Sequence, residues 1–551
     1  MKSDWVEQIC DRVEQQVRKT KGEGATIICA SGISPSGPIH LGNLREVMTP
    51  HIVAEALRER GRQVEHLHFW DDFDRLRKIP AGVPSDYERY IGCPLSDIPD
   101  PWGEYGSYAE RYMADFTRSL NRLGIAPRFI RQSLAYRSGH YTVQIKEAMA
   151  QRFTIFDIIA SFQTLPGQQE TVEERRASYY PFRVYCENCR KDTTTITQYE
   201  EATATISYVC HFCHYEGAFS LDEKVEGKLA WKVDWPMRWS AEGVDFEPAG
   251  ADHAAPNSSF SVGRQIVQRI YSTVPPQFVG FGFVGMEGRT KISSSAGTSA
   301  TVSSALDIVE PCILRWLYTR RSYSQTFMID YGQGLLRLYD EWDALVRQCR
   351  DGKANDVNTK AYERAIRTSQ GPVDCTPQLV PFHLLTSVLD VTQGNVEQTL
   401  RIVGQYSGQE VRPELLEPRL TCALNWVMRY LPEDERTPIR SSFNAQAYEH
   451  LSELDRASVQ LLVENLDTAW NLEALTNLIY TIPKIVRGLP ADAPADADLK
   501  QAQRSFFIAL YQLICGRETG PRIPTLLLSL GKEKVKLLLA PQQFDAPSSS
   551  R

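Results

Sequence analysis

The stretch Thr26-Ile-Ile-Cys-Ala-Ser-Gly-Ile-Ser-Pro-Ser-Gly-Pro-Ile-His-Leu-Gly-Asn43 decides the fold of the N-terminal region. It begins with a short apolar, β-branched run and continues into a loop dense in glycine, serine and proline. Apolar residues at helical spacing follow, and a second apolar run, residues 64–69, leads to Asp71 and Asp72. Strand, glycine-rich loop, helix and strand in this order form a βαβ unit, which predicts a parallel sheet.

Helices are predicted on either side of the first strand. Apolar residues recur every four positions from Trp5 to Val17 and two glycines follow, so residues 4–21 are expected to form an amphipathic helix. Asn43 and Glu46 resemble a capping box, which places the start of the second helix at Asn43. From residue 301 onward the apolar spacing is helical and strand signals are few, which predicts an all-α C-terminal region.

Length and composition bound the class of protein. The 551 residues indicate about three to four domains. The formal net charge of −7 excludes a protein held to nucleic acid by bulk positive charge. A nucleic-acid partner would therefore have to bind at local positively charged patches. The longest apolar stretch, residues 278–286, is far shorter than a membrane span, and acidic residues interrupt the N-terminus where a secretory signal would lie. No membrane partner is therefore expected, and the predicted location is the cytoplasm.

Four of the twelve cysteines form two C-x2-C pairs separated by twenty residues. This spacing is typical of a zinc ribbon, in which four thiolates close the shell and leave no position for a catalytic water. The predicted ligands of one structural Zn²⁺ are Cys186, Cys189, Cys210 and Cys213. His211 or His214 could replace a thiolate, and four buried thiols without metal are the alternative. The other eight cysteines are expected to be small buried hydrophobes.

Two glycine-rich and serine-rich segments could bind phosphate. The loop that ends at Asn43 places backbone N–H groups and a helix N-terminus toward a ligand, although it could also be a tight structural turn. Residues 285–297 form a second such segment, basic at Arg289 and Lys291, which could otherwise be a solvated surface loop.

The two segments together resemble the signatures of a known enzyme family. His40-Leu-Gly-Asn43 is similar to the HIGH signature of class I aminoacyl-tRNA synthetases, and Lys291-Ile-Ser-Ser-Ser295 is similar to their KMSKS signature. Further segments narrow the resemblance to class I lysyl-tRNA synthetases, over about residues 25–535. These segments are Ser31-Gly-Ile-Ser-Pro-Ser-Gly37, Asp71-Asp-Phe-Asp-Arg-Leu-Arg-Lys-Ile-Pro80, Trp231-Lys-Val-Asp-Trp-Pro-Met-Arg-Trp239, Gly250-Ala-Asp-His253 and Gly516-Arg-Glu-Thr-Gly-Pro-Arg522.

The resemblance implies an α/β fold with a Rossmann-type parallel-sheet catalytic domain, which a zinc-ribbon insertion splits and an all-α anticodon-binding domain follows. The implied boundaries are 1–165 for the first catalytic half, 166–225 for the insertion, 226–285 for the second half, 286–355 for the KMSKS-like loop with a connecting helical subdomain, 356–540 for the anticodon-binding domain and 541–551 for a disordered tail. A monomer is expected.

The resemblance also implies an activity, which is ATP-dependent activation of L-lysine and transfer of lysine to the 3′ end of lysine tRNA, with Mg²⁺ accompanying ATP. In adenylation the lysine carboxylate is itself the nucleophile, so the protein would act by positioning and by stabilising charge. His40 and Lys291 would be the catalytic residues. The implied ATP-binding residues are Pro35, Ser36, Gly37, Pro38, Ile39, His40, Leu41, Gly42, Asn43, Lys291, Ile292, Ser293, Ser294 and Ser295.

The amino-acid site is implied in the same way. Gly32 and Ser34 would hold the backbone end of lysine, Trp231 would cover its stem, and Asp252 and His253 would lie near it. Trp231 could equally be a core aromatic residue. Asp71 and Asp72 are alternative carboxylates for an ammonium group, or could cap the following turn. Candidate phosphate contacts for tRNA are Arg315, Arg320, Arg321, Lys484 and Arg487.

The sequence departs from the family pattern in three places. Ser294 replaces the second lysine of KMSKS, Ala296 stands where many relatives have lysine, and Phe281-Gly282 stands where relatives commonly have Tyr-Glu. These departures leave two alternatives open: a paralogue that activates an amino acid outside translation, and a catalytically impaired tRNA-binding homologue.

Overall fold

The chain folds into two units, which a computed structural model describes over residues 4–162, 171–255, 257–287, 301–407, 410–494 and 496–540. The first unit comprises Met1–Leu306, Pro311–Tyr331 and Ala344–Asp374, and the second comprises Asp307–Glu310, Gly332–Asp343 and Cys375–Arg551. The described strands all lie in the first unit, and the described part of the second unit is built from helices joined by turns.

The strands in chain order are β1 (Ile27–Ile33), β2 (Val64–Trp70), β3 (Arg128–Arg131), β4 (Phe182–Val184), β5 (Thr194–Glu200), β6 (Thr205–Cys210), β7 (Glu216–Ser220), β8 (Gly227–Leu229), β9 (Ala249–Gly250), β10 (Gly280–Phe281), β11 (Val284–Glu287), β12 (Phe327–Asp330), β13 (Arg367–Thr368) and β14 (Gly371–Pro372).

The helices up to residue 366 are α1 (Trp5–Thr20), α2 (Leu41–Glu59), α3 (Tyr108–Arg122), α4 (Gln132–Arg137), α5 (Thr142–Ala150), α6 (Arg152–Ser161), α7 (Val172–Ser178), α8 (Trp231–Glu242), α9 (Ser259–Arg269), α10 (Val302–Leu306), α11 (Pro311–Thr319), α12 (Gln333–Arg350) and α13 (Asp356–Ile366). The later helices are α14 (Phe382–Val391), α15 (Val396–Ser407), α16 (Pro413–Leu416), α17 (Arg419–Asn425), α18 (Ala445–Glu449), α19 (Glu453–Asn465), α20 (Leu472–Ile485), α21 (Ala497–Ile514), α22 (Ile523–Leu530) and α23 (Lys532–Leu539). None of the described helices is long and apolar enough to span a membrane.

A parallel sheet organises the first unit. β1, β2 and β3 pair in the order β1-β2-β3, with Ile27 opposite Val64. Single parallel bridges from Cys29 to Phe246 and from Phe246 to Gln277 extend the sheet beyond β1, and β9 and β10 continue in parallel. The parallel sheet predicted from the βαβ pattern is therefore confirmed. Because parallel strands end at one edge, the loop after β1 and the acidic segment after β2 lie at the same edge.

The cysteine-bearing segment folds as a small antiparallel element. β5, β6 and β7 form an antiparallel sheet, and β4 pairs with β8 where the chain enters and leaves it. Ile206, Tyr208 and Phe219 are buried under this sheet, in the same apolar cluster as Phe69 and Trp239 of the parallel-sheet region.

The predicted start of α2 is wrong. The helix begins at Leu41, and its N-cap is His40, whose Nδ1 accepts from the N–H of Gly42 at 3.1 Å. The Asn43 side chain accepts from the N–H of His40 at 3.4 Å. His40 and Asn43 therefore form the capping box of this helix. Histidine is not among the usual N-cap residues, so the sequence pattern favoured Asn43 and Glu46 instead.

One further prediction is corrected by the fold. Arg315 is 1% exposed and donates to the carbonyl oxygens of Leu123 and Arg364, at 2.8 and 2.7 Å. These bonds connect distant segments of the first unit, so Arg315 is not available to bind a phosphate.

Candidate active site

The glycine-rich loop after β1 presents one ring nitrogen of His40 to a ligand. Nδ1 accepts from the Gly42 N–H, so in the neutral ring the proton resides on Nε2, which is a donor. Partial burial lowers the pKa of His40 and favours this neutral form. The loop is held from outside by Tyr108, whose hydroxyl donates to the carbonyl of Ser36 at 2.9 Å.

Gly42 is required by the position of the His40 ring. A Cβ atom at residue 42 would lie 2.9 Å from two ring atoms of His40 and 3.3 Å from the carbonyl oxygen of Val284. Any side chain here would therefore displace the ring, since contacts this short force neighbouring atoms to move. Gly37 faces a similar constraint, because its Cβ would lie 3.1 Å from Pro80.

The KMSKS-like residues Lys291, Ile292, Ser293, Ser294 and Ser295 lie outside the described residues. The chain on both sides of residues 288–300 nevertheless lies against the glycine-rich loop. The carbonyl oxygen of Val284, in β11, lies next to Gly42, and Thr301 forms an antiparallel backbone bridge with His40. The described residues that flank 288–300 therefore lie beside the glycine-rich loop.

The two acids at the end of β2 are already paired inside the protein. Asp71 accepts from Lys228 Nζ at 2.9 Å and contacts Arg238. Burial raises its pKa, but the charges of Arg238 and Lys228 outweigh burial and hold the pKa below the ordinary value. Asp72 accepts from Arg131 Nε at 2.9 Å and from the N–H of Ser133 at 2.8 Å. The prediction that either acid is available for a ligand ammonium is wrong, because each has internal cationic partners.

Three of the residues predicted to bind the amino acid lie together. Trp231, at the start of α8, is 38% exposed and stacks on Trp235 with centroids 5.2 Å apart. The ring of His253 lies 6.5 Å from that of Trp231, and Asp252 lies 3.6 Å from His253. Trp231 thus has one face covered by protein and part of its surface open, as a wall of a binding site would.

A half-buried carboxylate, which the sequence interpretation assigned to a helix cap, interacts with the charge of Asp252 in this group. Burial raises the pKa of Glu46, on α2, well above its ordinary value. The negative charges of Glu247, Asp71 and Asp252 act in the same direction. No ion pair or hydrogen bond of the Glu46 side chain occurs within the described ranges. A cation beside Glu46 would favour the ionised form of its carboxyl group.

Glu247 is a second carboxylate whose charge acts on Glu46. Its Oε2 accepts from Trp239 Nε1 at 2.6 Å, and burial raises its pKa to about 7. The capping-box spacing of Asn43 and Glu46 gave no indication of this environment in the sequence.

The departure at Phe281-Gly282 has a structural reason. A Cβ atom at Gly282 would lie 2.6 Å from the carbonyl oxygen of Ser324, so no side chain fits there without movement of the backbone. The Gly282 carbonyl in turn accepts from Arg45 Nη1 at 3.0 Å. Arg45 is 2% exposed and also donates to the carbonyl of Gln325 at 2.7 Å. The segment before β11 is therefore closely packed on α2.

The four cysteines predicted as metal ligands form one cluster. All four sulfur atoms lie within 4.8 Å of one another, with Cys186 Sγ to Cys213 Sγ at 3.6 Å and Cys189 Sγ to Cys210 Sγ at 3.7 Å. A zinc ion with sulfur ligands at ~2.3 Å needs sulfur atoms ~3.8 Å apart in a tetrahedron. The thiols therefore fit the ion.

The histidines considered as substitute ligands are outside this cluster. His211 Nε2 is hydrogen-bonded to the hydroxyl of Thr195 at 2.7 Å. His214 lies at a left-handed backbone position, φ 58°, where its N–H donates to the carbonyl of Cys210 at 3.0 Å. Arg190 also has a left-handed backbone, and its N–H donates to the carbonyl of Cys186. Each C-x2-C turn therefore closes with the same backbone hydrogen bond.

Comparisons with known proteins identify relatives of this chain. Residues 3–371 match the family described as tRNA synthetases class I (K). The chain is 42% identical to a lysine–tRNA ligase of Streptomyces coelicolor, over 98% of this chain and 98% of the relative. It is 33% identical to a lysine–tRNA ligase of Pyrococcus horikoshii, over 96% of this chain and 98% of the relative. Among solved structures, a glutamate tRNA ligase from Elizabethkingia meningosepticum covers 94% of this chain with a TM-score of 0.42 and 12% identity.

Proposed function

The chain belongs to the class I (K) tRNA synthetase family, and from this premise we propose that it activates L-lysine with ATP and transfers lysine to lysine tRNA. The observation that carries the proposal is identity of 42% to a lysine–tRNA ligase over 98% of both chains. The acidic surroundings of Glu46 support lysine as the substrate, because lysine brings two ammonium groups to the site.

Activation begins with attack of a lysine carboxylate oxygen on the α-phosphorus of ATP. The new oxygen–phosphorus bond forms as the bond to the β-phosphate oxygen breaks, and pyrophosphate leaves. His40 donates its Nε2–H to a phosphate oxygen, and Lys291 neutralises charge that develops on the leaving pyrophosphate. Mg²⁺ bound with ATP supplies further charge neutralisation. The loop 35–43 and residues 291–295 hold the nucleotide, so the protein contributes positioning and electrostatic stabilisation.

The amino-acid site is formed by Gly32, Ser34, Trp231, Asp252 and His253. We assign the ε-ammonium of lysine to Glu46, whose charge interacts with that of Glu247. Pairing with a cation restores the ionised form of a carboxyl group whose pKa burial has raised. This assignment supplies a charged contact for the ε-ammonium, which the uncharged residues Gly32 and Ser34 cannot provide.

The decisive test of the function is aminoacylation of total tRNA with labelled lysine by the full-length protein. We expect ATP-dependent attachment of lysine to lysine tRNA. Lysine-dependent pyrophosphate exchange without attachment would favour a paralogue that activates an amino acid outside translation, an alternative kept open by Ser294 and Ala296. Absence of both reactions would instead leave a tRNA-binding homologue.

The insertion is proposed to be a zinc ribbon, and one zinc ion per chain is expected in the purified protein. A closed four-thiolate shell contributes folding free energy directly, so Cys213→Ser should lose zinc and disorder β5, β6 and β7. Cys349→Ser is the matched control, because Cys349 is a free cysteine outside the cluster. Metal analysis that finds less than about half an equivalent of zinc, with four free thiols, would contradict the assignment.

Residues 356–540 are proposed to form the anticodon-binding domain. Unpaired bases are usually held against aromatic and arginine planes, which helices can present. Lys484 and Arg487 of this region stay candidate phosphate contacts, as do Arg320 and Arg321 of the first unit. The domain boundaries and the monomeric state also stay predictions.

A further inference from the structure

Tyr318, near the end of α11, reaches the first turn of α2. Its hydroxyl donates to the carbonyl oxygen of Leu41 at 2.9 Å. Tyr318 is 4% exposed and Leu41 is 2% exposed, so water does not compete for this bond. Burial raises the pKa of Tyr318 above its ordinary value, so the hydroxyl stays protonated at neutral pH and remains a donor.

The peptide group that accepts this bond also carries the N–H that holds the His40 ring. The carbonyl of Leu41 and the N–H of Gly42 belong to one planar peptide unit. That N–H donates to Nδ1 of His40 at 3.1 Å. The contacts therefore form one chain, from the Tyr318 hydroxyl through this peptide to Nδ1, and the proton of the neutral ring resides on Nε2.

Buried neighbours fix the Tyr318 ring in the place that this chain requires. The ring meets the Phe327 ring edge to face, with centroids 5.4 Å apart. The guanidinium of Arg45 lies 5.3 Å from the centroid of the same Phe327 ring. Arg45 is itself held by the carbonyls of Gly282 and Gln325, at 3.0 and 2.7 Å. The donor end of the chain is therefore positioned by packing that is independent of any ligand.

Hydrogen bonds in such a chain polarise one another. A bond accepted by the carbonyl of a peptide makes the N–H of that peptide a stronger donor, and in a buried site the gain is about 10–30% per bond. The Tyr318 hydroxyl therefore strengthens the bond from Gly42 to Nδ1. That bond selects the tautomer with its proton on Nε2 and sets the orientation of the ring.

We propose that Tyr318 is a positioning residue for lysine activation, which acts through the peptide between Leu41 and Gly42 to hold the His40 ring with Nε2–H toward the phosphates of ATP. This role rests on the proposed function, because it takes His40 as a donor to ATP. Tyr318 acts through His40 and not on lysine. Its effect is therefore expected in the rate of activation and in the state of the His40 ring, and not in the KM for lysine.

The first test is Tyr318→Phe, which removes one hydroxyl and keeps the ring. We expect kcat for lysine-dependent pyrophosphate exchange, measured with total tRNA present, to fall about fivefold to tenfold, the effect of losing one neutral hydrogen bond. KM for lysine should stay unchanged. Tyr339→Phe is the matched control and should keep the wild-type kcat. Tyr339 is also buried, and its hydroxyl donates to the carbonyl of Ile308 at 3.1 Å, in the second unit.

NMR of the full-length protein with ¹⁵N-labelled histidine measures the state of the His40 ring directly. Comparison with His40→Ala identifies its signals among those of the ten histidines. At about pH 8 the ring is neutral, and Nδ1 of the wild type should give the signal of an unprotonated nitrogen. In Tyr318→Phe this signal should move toward that of the two mixed tautomers of histidine in water.

A double variant separates this role from a purely structural one. If Tyr318 acts through His40, His40→Ala/Tyr318→Phe should be no slower than His40→Ala alone, because effects that share one partner are not additive.

Four results would overturn the proposal. They are an unchanged kcat in Tyr318→Phe, an unchanged Nδ1 signal in that variant, an equal fall of kcat in Tyr339→Phe, and a further fall of about fivefold when Tyr318→Phe is added to His40→Ala. Failure of the proposed function has a different signature, because the wild type would then show no lysine-dependent exchange. The Nδ1 signal alone would in that case decide whether Tyr318 holds the His40 ring.

Discussion

Norleucine is expected to be activated about 10⁴-fold less efficiently than lysine, because it lacks the ε-ammonium and would leave buried carboxylates of the site unpaired. Glu46 is the central group in this argument. Its pKa is raised by burial and by Glu247, Asp71 and Asp252, and the described residues provide it with no cation. Ornithine keeps the ammonium on a shorter stem and should be intermediate. Pyrophosphate exchange with each amino acid, measured with total tRNA present, gives the ratio.

The same prediction is tested from the protein side with Glu46→Gln. Loss of the carboxylate should lower kcat/KM for lysine by about 10²-fold and reduce the preference over norleucine. Glu59→Gln is the matched control, since Glu59 is exposed near the end of the same helix.

The pH dependence of KM for lysine gives a second test of the role of Glu46. The carboxylate form of Glu46 increases as pH rises through its raised pKa, so KM for lysine should fall with rising pH in the wild type. The Gln variant should lose that dependence. An unchanged ratio of lysine to norleucine in Glu46→Gln would show that another group pairs the ammonium.

The parts of this molecule that sequence predicts well are those set by local pattern. The parallel sheet follows from two apolar runs separated by a loop and a helix, and the cysteine cluster follows from two identical knuckles. Both patterns are short-range, so their geometry is nearly fixed by residue spacing.

The site itself depends on contacts between distant residues. Asp71 has the sequence features of a ligand carboxylate, but Lys228 and Arg238, more than 150 residues away, occupy it. Glu46 has the features of a capping residue, and only the fold shows it half-buried, with the charges of Glu247 and Asp252 acting on it. A pattern that assigns one local role to a residue therefore conceals a second role that tertiary structure creates.

His40→Ala is expected to lower lysine activation by about 10²- to 10³-fold, since removal of one preorganised donor to transition-state charge costs that much. The same change should also destabilise the first unit by about 1 kcal/mol, because His40 is the N-cap of α2 and accepts from Gly42. Pyrophosphate exchange and thermal unfolding measure the two effects.

The variant His40→Asn separates the two roles. Asparagine is a good N-cap, so its side-chain oxygen can still accept a backbone N–H and the thermal midpoint should stay close to that of the wild type. Its shorter side chain cannot place a donor where Nε2–H lies, so activation should fall as far as in the alanine variant. If His40→Asn restores activity together with stability, His40 acts only by holding the start of α2. If activation stays low while stability returns, the ring N–H itself acts on the phosphates, as the neutral tautomer fixed by Gly42 requires.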